Sequence, residues 1–172
     1  MNYPVIKIKS GREWQLKRGH PWLFSGGIQH LPSNIEPGGL VDLHDSEGQF
    51  VARGYYNPKT DIAVRVLTRD PSEIVDGAFF EKRVRQALQL RRGAINPQDT
   101  NLFRLINAEG DFLPGVIVDY YAGVLVLQSH TAGIDRLLEP LTAALIAVVQ
   151  PQAVLLRNDV AVRSREGLAK EE

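Results

Sequence analysis

The apolar residues of this chain change period near residue 70, and that switch limits the folds open to it. Before it, apolar and polar side chains alternate. Val5 to Lys9 places Ile6 and Ile8 on one face and Lys7 and Lys9 on the other. The runs 40–44, 49–56 and 62–68 are further strand candidates, and Ile62–Thr68 alternates as well. Alternation is the mark of a half-buried strand, because successive side chains point to opposite faces. Pro37-Gly38-Gly39, Asp45-Ser46-Glu47-Gly48 and Asn57-Pro58 punctuate the runs. Short strands at this spacing predict a small barrel or sandwich.

From Asp76 to Arg92 the period becomes 3.6. Phe80, Val84, Ala87 and Leu88 fall at i, i+4, i+7 and i+8, so a helix is expected. Asp76 is its candidate N-cap and Gly93 its candidate C′ residue. Its polar side carries Lys82, Arg83, Arg85, Arg91 and Arg92. Those cations suit either a helix C-terminus or nucleic acid. After the loop Asn96-Pro97-Gln98-Asp99, strands recur at 103–107, 115–120 and 124–129, read as a meander with a turn at Tyr121-Ala122-Gly123. Residues 134–149 are helical in pattern, but Pro140 means either a kink or a start near Glu139. Residues 153–157 form a last short strand, and the tail from Ser164 is polar, with no visible cap or closing element. The expected class is α+β: an N-terminal β pseudo-barrel over residues 1–72, then a small α/β unit with a mostly antiparallel sheet over 75–160, then a linker over 161–172.

Composition removes several function classes. Lys and Arg number 20, Asp and Glu number 20, and cysteine is absent. Disulfides, thiolate metal sites and a cysteine nucleophile are therefore excluded within this chain. Zero net charge confines any nucleic-acid surface to a patch. No apolar stretch approaches 18 residues and the first residues lack a signal-peptide pattern, so a cytoplasmic protein with no membrane partner is expected. There is no glycine-rich nucleotide loop, no P-loop and no serine elbow. His20, His30, His44 and His130 lie far apart, which argues against a metal site.

Two segments carry candidate chemistry. Residues 1–25 hold Lys7, Lys9, Arg12, Lys17 and Arg18 against Glu13 alone, and Lys17-Arg18 leads directly into Gly19-His20-Pro21-Trp22-Leu23-Phe24-Ser25. Cations meet phosphates and an aromatic ring stacks on an unpaired base, so this segment suits RNA. The bland alternative makes Trp22, Leu23 and Phe24 core residues. The candidate RNA contacts are Lys9, Arg12, Lys17, Arg18, His20 and Trp22, with Arg53 and Arg65 next because they lie on strands of the same half. The second segment, 103–119, holds Glu109, Asp111 and Asp119. These are either a hydrolytic acid/base pair or, the favoured reading, turn carboxylates that cap backbone amides and pair with Arg104.

Gly19-His20-Pro21-Trp22-Leu23-Phe24-Ser25-Gly26, Gly54-Tyr55-Tyr56-Asn57-Pro58, Ile62-Ala63-Val64-Arg65-Val66 and the run from Phe103 to Gly115 occur in this order. Together they resemble the bacterial ribosomal RNA large subunit methyltransferase I family, S-adenosylmethionine-dependent RNA cytosine-C5 methyltransferases. Arg157 to Leu168 looks like that family's lead-in to its catalytic domain. One departure is Phe112, where the family usually has glycine.

The resemblance implies a PUA domain that binds RNA over residues 1–72 and a central α/β domain over 75–160. It also implies a Rossmann-like catalytic domain that lies outside this chain. S-adenosylmethionine is then the cofactor of the parent enzyme and is not bound by this chain. The partner is large-subunit ribosomal RNA, and the resemblance allows a homodimer. Cytosine C5 is a weak nucleophile until a thiolate adds at C6, and this chain supplies no thiol. The expected function is the RNA-binding portion of such an enzyme. The alternative is a stand-alone PUA-type adaptor, and a hydrolase using Glu109 and Asp111 is weaker.

Overall fold

The computed structural model describes residues 3–96 and 98–170. Pro97 of the expected loop, and Met1, Asn2, Glu171 and Glu172, lie outside the described residues. The alternating stretches become strands β1 (Val5–Ile8), β2 (Trp22–Phe24), β3 (Ile28–His30), β4 (Leu40–His44), β5 (Phe50–Tyr56) and β6 (Ile62–Thr68). Their order in the sheet is β2-β6-β5-β4-β1-β3. Only β1 and β4 run parallel. The two edge strands, β2 and β3, are joined by one turn of 3-10 helix, Ser25–Gly27. That short link draws the edges together and curls the sheet. Ile6, Ile8, Leu16, Leu23, Leu43 and Val64 fill the interior.

The second sheet has the order β10-β9-β8-β7, with β7 (Leu102–Asn107), β8 (Val116–Tyr121), β9 (Val124–Ser129) and β10 (Ala153–Leu156). Three strands form the expected antiparallel meander, and β10 joins β9 in parallel. Helices α2 (Gly77–Ala94) and α4 (Leu138–Val149) pack together on one face. Phe80, Val84 and Ala87 meet Leu141, Ala144 and Leu145 over Leu105, Val118, Leu125 and Leu127.

The caps of α2 divide between expectation and surprise. Asp76 caps its start by accepting from the Phe79 N–H at 3.0 Å. Gly93 does not end it: the helix runs on to Ala94, and the residue that follows, Ile95, is extended. A glycine inside the last turn costs about 1 kcal/mol relative to alanine, too little to stop a helix anchored by packing. Pro140 is the third residue of α4, inside the first turn where its missing N–H costs nothing. A separate short helix, α3 (Ala132–Arg136), precedes it.

The tail differs most from expectation. Residues Val162–Glu166 form a short helix, α5, closed by Gly167 at φ +79°. Arg163 and Glu166 are among its buried residues. Arg163 forks onto Asp135 at 2.7 and 3.0 Å and donates to the Ser129 carbonyl at 2.7 Å. Glu166 reaches the first sheet. Its Oε2 accepts from Asn57 Nδ2 at 2.6 Å, and its Oε1 lies 2.9 Å from Arg65 Nη2 without hydrogen-bond alignment. No local pattern marks these residues as buried, because Asp135 and Ser129 for Arg163 and Asn57 for Glu166 lie 28 to 109 positions away.

A second contact joins the sheets at Tyr55, whose ring packs with the core of the second sheet. Its hydroxyl donates to the Pro114 carbonyl and accepts from Thr131 Oγ1, both at 2.9 Å. Gly133 sits against the ring so closely that a Cβ there would overlap it.

Candidate nucleic-acid interface

The basic N-terminal segment folds into β1, a five-residue helix α1 (Glu13–Lys17) and β2. Leu16 is the one buried residue of α1 and pins it to the core. Its neighbours Trp14, Gln15, Lys17 and Arg18 therefore face outward. On β2 the alternation does the same work. Leu23 points inward, while Trp22 and Phe24 share the other face with His20 two residues earlier.

Four of the predicted contacts lie on this surface. Lys9 Nζ donates to the Gly26 carbonyl at 2.9 Å and stays exposed. Arg12 is exposed and has no ion-pair partner among the described residues. The guanidinium of Arg18 sits 5.4 Å from the Trp14 ring centroid. Lys17 is half exposed and bonds Asp45 at 2.9 Å. That hydrogen bond holds the ammonium pKa above its ordinary value and the Asp45 carboxyl below its own.

His20 and Trp22 are half-buried. The Trp22 backbone N–H donates to His20 Nδ1 at 3.2 Å. The Trp22 indole N–H donates to Glu109 Oε1 at 2.8 Å, which ties this strand to the second sheet. Trp22 is thus neither a core residue nor a free stacking ring.

Arg53 and Arg65 do not reach the surface, which corrects the expectation that they contact phosphate. Arg53 forks onto Asp42 at 2.7 and 3.2 Å and donates to the Glu73 carbonyl, with the Tyr3 ring at 4.4 Å. The Asp42 bond raises its pKa. Arg65 faces Glu166. Both lie on β5 and β6, inner strands of a curled sheet, so their side chains are enclosed.

Two exposed aromatics on this surface lie outside the predicted contacts: Phe24, 46% exposed, and Trp14, 51% exposed. The signal for Phe24 was present, because His20, Trp22 and Phe24 alternate with Pro21 and Leu23. Nothing local marked Trp14.

The cations of α2 are mostly paired, Arg92 alone of the five being exposed without a carboxylate partner among the described residues. Lys82 and Arg83 share Glu73 at 2.5 and 3.5 Å, and Arg85 pairs with Glu81 one turn away. The carboxylates of the 103–119 segment behave as turn residues. Asp111 is forked by Arg91 at 2.9 and 2.5 Å and accepts from the Asn107 N–H at 2.6 Å. Asp119 pairs with Arg104 at 2.8 Å, as expected. Glu109 holds Trp22, so no free acid/base pair exists here. Phe112 has φ +58°, a backbone region that glycine enters freely and phenylalanine does not. The turn tolerates it because the neighbouring bonds of Asp111 fix the chain.

Among the described residues no three His, Asp or Glu side chains gather closely enough to hold a metal ion. No described helix is long and apolar enough to cross a membrane. The β9-to-α3 turn is a strand-to-helix connection with a glycine, Gly133. That glycine is filled by the Tyr55 ring and leaves no cradle for a nucleotide-like cofactor. This turn therefore has no room for S-adenosylmethionine.

Comparisons with known proteins agree with this geometry. Residues 6–69 match the PUA-like domain. Ribosomal RNA large subunit methyltransferase I of Pseudoalteromonas translucida is 42% identical over 95% of this chain and 41% of its own length. The proteins of that name from Salmonella arizonae and Klebsiella pneumoniae are 41% and 39% identical, over 98% and 96% of this chain. A methyltransferase solved with SAH and a SAM-dependent methyltransferase from Streptococcus mutans each superpose with TM-score 0.76 at 20% identity. They cover 90% and 91% of this chain, and 40% and 42% of theirs, and they share its fold. The chain spans about two fifths of the length of the curated relatives it matches. Over the part that aligns, it is similar along nearly its whole length to proteins named ribosomal RNA large subunit methyltransferase I.

Proposed function

We propose that this chain is the RNA-binding portion of an S-adenosylmethionine-dependent methyltransferase that modifies cytosine C5 in large-subunit ribosomal RNA, a cytoplasmic substrate. The observation that carries the reading is the outward strip Lys9, Arg12, Lys17 and Arg18 on a PUA-like sheet of a protein with zero net charge. Its role is to bind and orient RNA. The thiolate that this chemistry requires is not supplied by this chain, which has no cysteine.

Of these four cations, Lys17 must loosen its bond to Asp45 before it can meet a phosphate. The remaining three have no carboxylate partner among the described residues. Four contacts to single-stranded RNA give a slope of log affinity against log salt near −3, at roughly 0.7 each. A salt titration of binding to a single-stranded RNA oligonucleotide tests this. Replacing Arg12, Lys17 and Arg18 together by alanine is expected to flatten the slope by about 2, at roughly 0.7 each. Unchanged slope and affinity in that variant overturn the assignment of this surface.

A further inference from the structure

We infer that Phe24 is a stacking platform for one unpaired nucleobase, in a cleft that Arg12 and Gln15 share with it; this rests on the RNA reading above. The cleft lies between α1 and β2, encloses about 280 Å³ and is lined by Arg12, Gln15, Trp22, Phe24, Gly26 and Gly27. That is near the lower end of small-ligand pockets and suits a single base.

Four features of the surface define the ligand. First, β2 is an edge strand, and Phe24 at its end is exposed. Second, His20, Trp22 and Phe24 form an aromatic row on that face. His20 and Trp22 lie 5.8 Å apart at 84°, and Trp22 and Phe24 lie 6.3 Å apart at 90°. The His20 ring is tilted 44° to Phe24. No described ring is stacked parallel on Phe24.

Third, the row has one held member and one free member. Trp22 is locked by its bond to Glu109, whereas Phe24 is 46% exposed. An exposed ring beside a fixed one offers a preorganised slot with little side-chain entropy left to lose. Fourth, the rim is cationic. Arg12 has no carboxylate partner, Lys9 is held nearby on the Gly26 carbonyl, and no carboxylate lines the cleft. The Gln15 amide can both donate to and accept from a base edge. An anionic chain that carries flat rings matches all four. The strand must be single, because duplex bases already have both faces stacked.

The test uses the whole chain and a fluorescein-labelled, mixed-sequence single-stranded RNA 12-mer, read by anisotropy. Phe24→Leu keeps the apolar bulk and removes the ring. Its affinity is expected to fall about 5- to 140-fold, the range of one base–aromatic stack at 1.4 kcal/mol per decade. Its salt slope is expected to stay that of the wild type, and Phe24→Trp is expected to restore binding. A thermal melt of each variant is expected to match the wild type, because the ring is half exposed. Wild-type affinity in Phe24→Leu overturns the stacking site while salt-dependent binding keeps the RNA reading. Absence of salt-dependent binding by the wild type overturns both. A loss in Phe24→Leu accompanied by a lowered melting temperature, and not restored by Phe24→Trp, assigns Phe24 to the fold and overturns the site.

Discussion

The two sheets use their arginines and lysines in opposite ways. Around the second sheet four arginines are spent on carboxylates of the same chain. Arg91 takes Asp111, Arg104 takes Asp119, Arg157 takes Asp159 and Arg163 takes Asp135. On the first sheet the cations split by location. Arg53 and Arg65, on inner strands, are enclosed and paired. Lys9, Arg12 and Arg18, next to the edge strand, rest on a carbonyl, on nothing charged, and on an aromatic face. Charge count therefore does not locate a binding surface in this molecule. What marks this surface is that Lys9, Arg12 and Arg18 lack an internal carboxylate and also lie together beside the edge strand.

The largest expected effect comes from the buried side of this contrast. Glu166→Ala leaves Arg65 enclosed without its carboxylate and removes the side-chain bond to Asn57, which keeps its bond to the residue 166 carbonyl. It is expected to destabilise the chain by about 3–5 kcal/mol, the usual cost of breaking a buried pair from one side. Urea unfolding checks it. A loss below about 1 kcal/mol, the scale of an exposed pair, would make α5 a loosely held tail.

Next comes the turn that faces the first sheet. Gly115 has φ +78°, and a Cβ there would stand 2.5 Å from Thr131 Oγ1, the hydroxyl that donates to Tyr55. Gly115→Val is expected to cost about 1–3 kcal/mol from backbone strain, with crowding pushing it to the upper end. A variant melting at the parent temperature would show that the turn can shift without disturbing Tyr55.

The exposed cations are expected to act on binding and hardly on stability. Changing Lys17 and Arg18 together to alanine is expected to flatten the salt slope by about 1.4 and to weaken all RNA sequences alike. A sequence-dependent loss in the same titration would make them base-reading residues.

A smaller effect separates the halves by pH. Burial, and then the charges of Arg104 and Arg163, lower the pKa of His130 below its ordinary value. The unfolded chain takes up that proton near pH 6.5, and the folded chain does so only at lower pH. Stability from this group is therefore full above about pH 6.5 and falls as pH drops through that value. Melting curves at pH 7.5 and 5.5 are expected to separate more for the wild type than for His130→Gln. Equal separations would mean that His130 is reached by solvent. The smallest change expected is in Arg85→Ala, which removes an exposed helix pair with Glu81. It is expected to shift stability by less than about 0.5 kcal/mol and to leave RNA binding unchanged.

Much of the fold was legible because its signals are local. Alternation located β1, β4, β5 and β6, and turn residues set their ends. Asp76 marked the start of α2 because an N-cap bonds a residue three positions on. Gly93 misled for the same reason: a glycine near a helix end reads as a stop, yet packing of Phe80, Val84 and Ala87 carried α2 past it. The three-residue strand β3 was too short to show a period. In the candidate site the basic segment was legible as charge, but Trp22 and Phe24 were adjacent in pattern and opposite in fate.

The sequence by itself determined the class of each segment, the position of the period switch, the lack of a thiol and the basic character of residues 1–25. Those properties depend on neighbours within a few positions. Tertiary structure decided which cations remain free, that Trp22 is held by Glu109 while Phe24 is open, and that α5 closes onto both sheets. Each of these depends on a partner brought close by folding: Asp42 for Arg53, Glu166 for Arg65, Glu109 for Trp22. An ion pair or a stacking face is a property of two surfaces. One strand of sequence shows only the first of them.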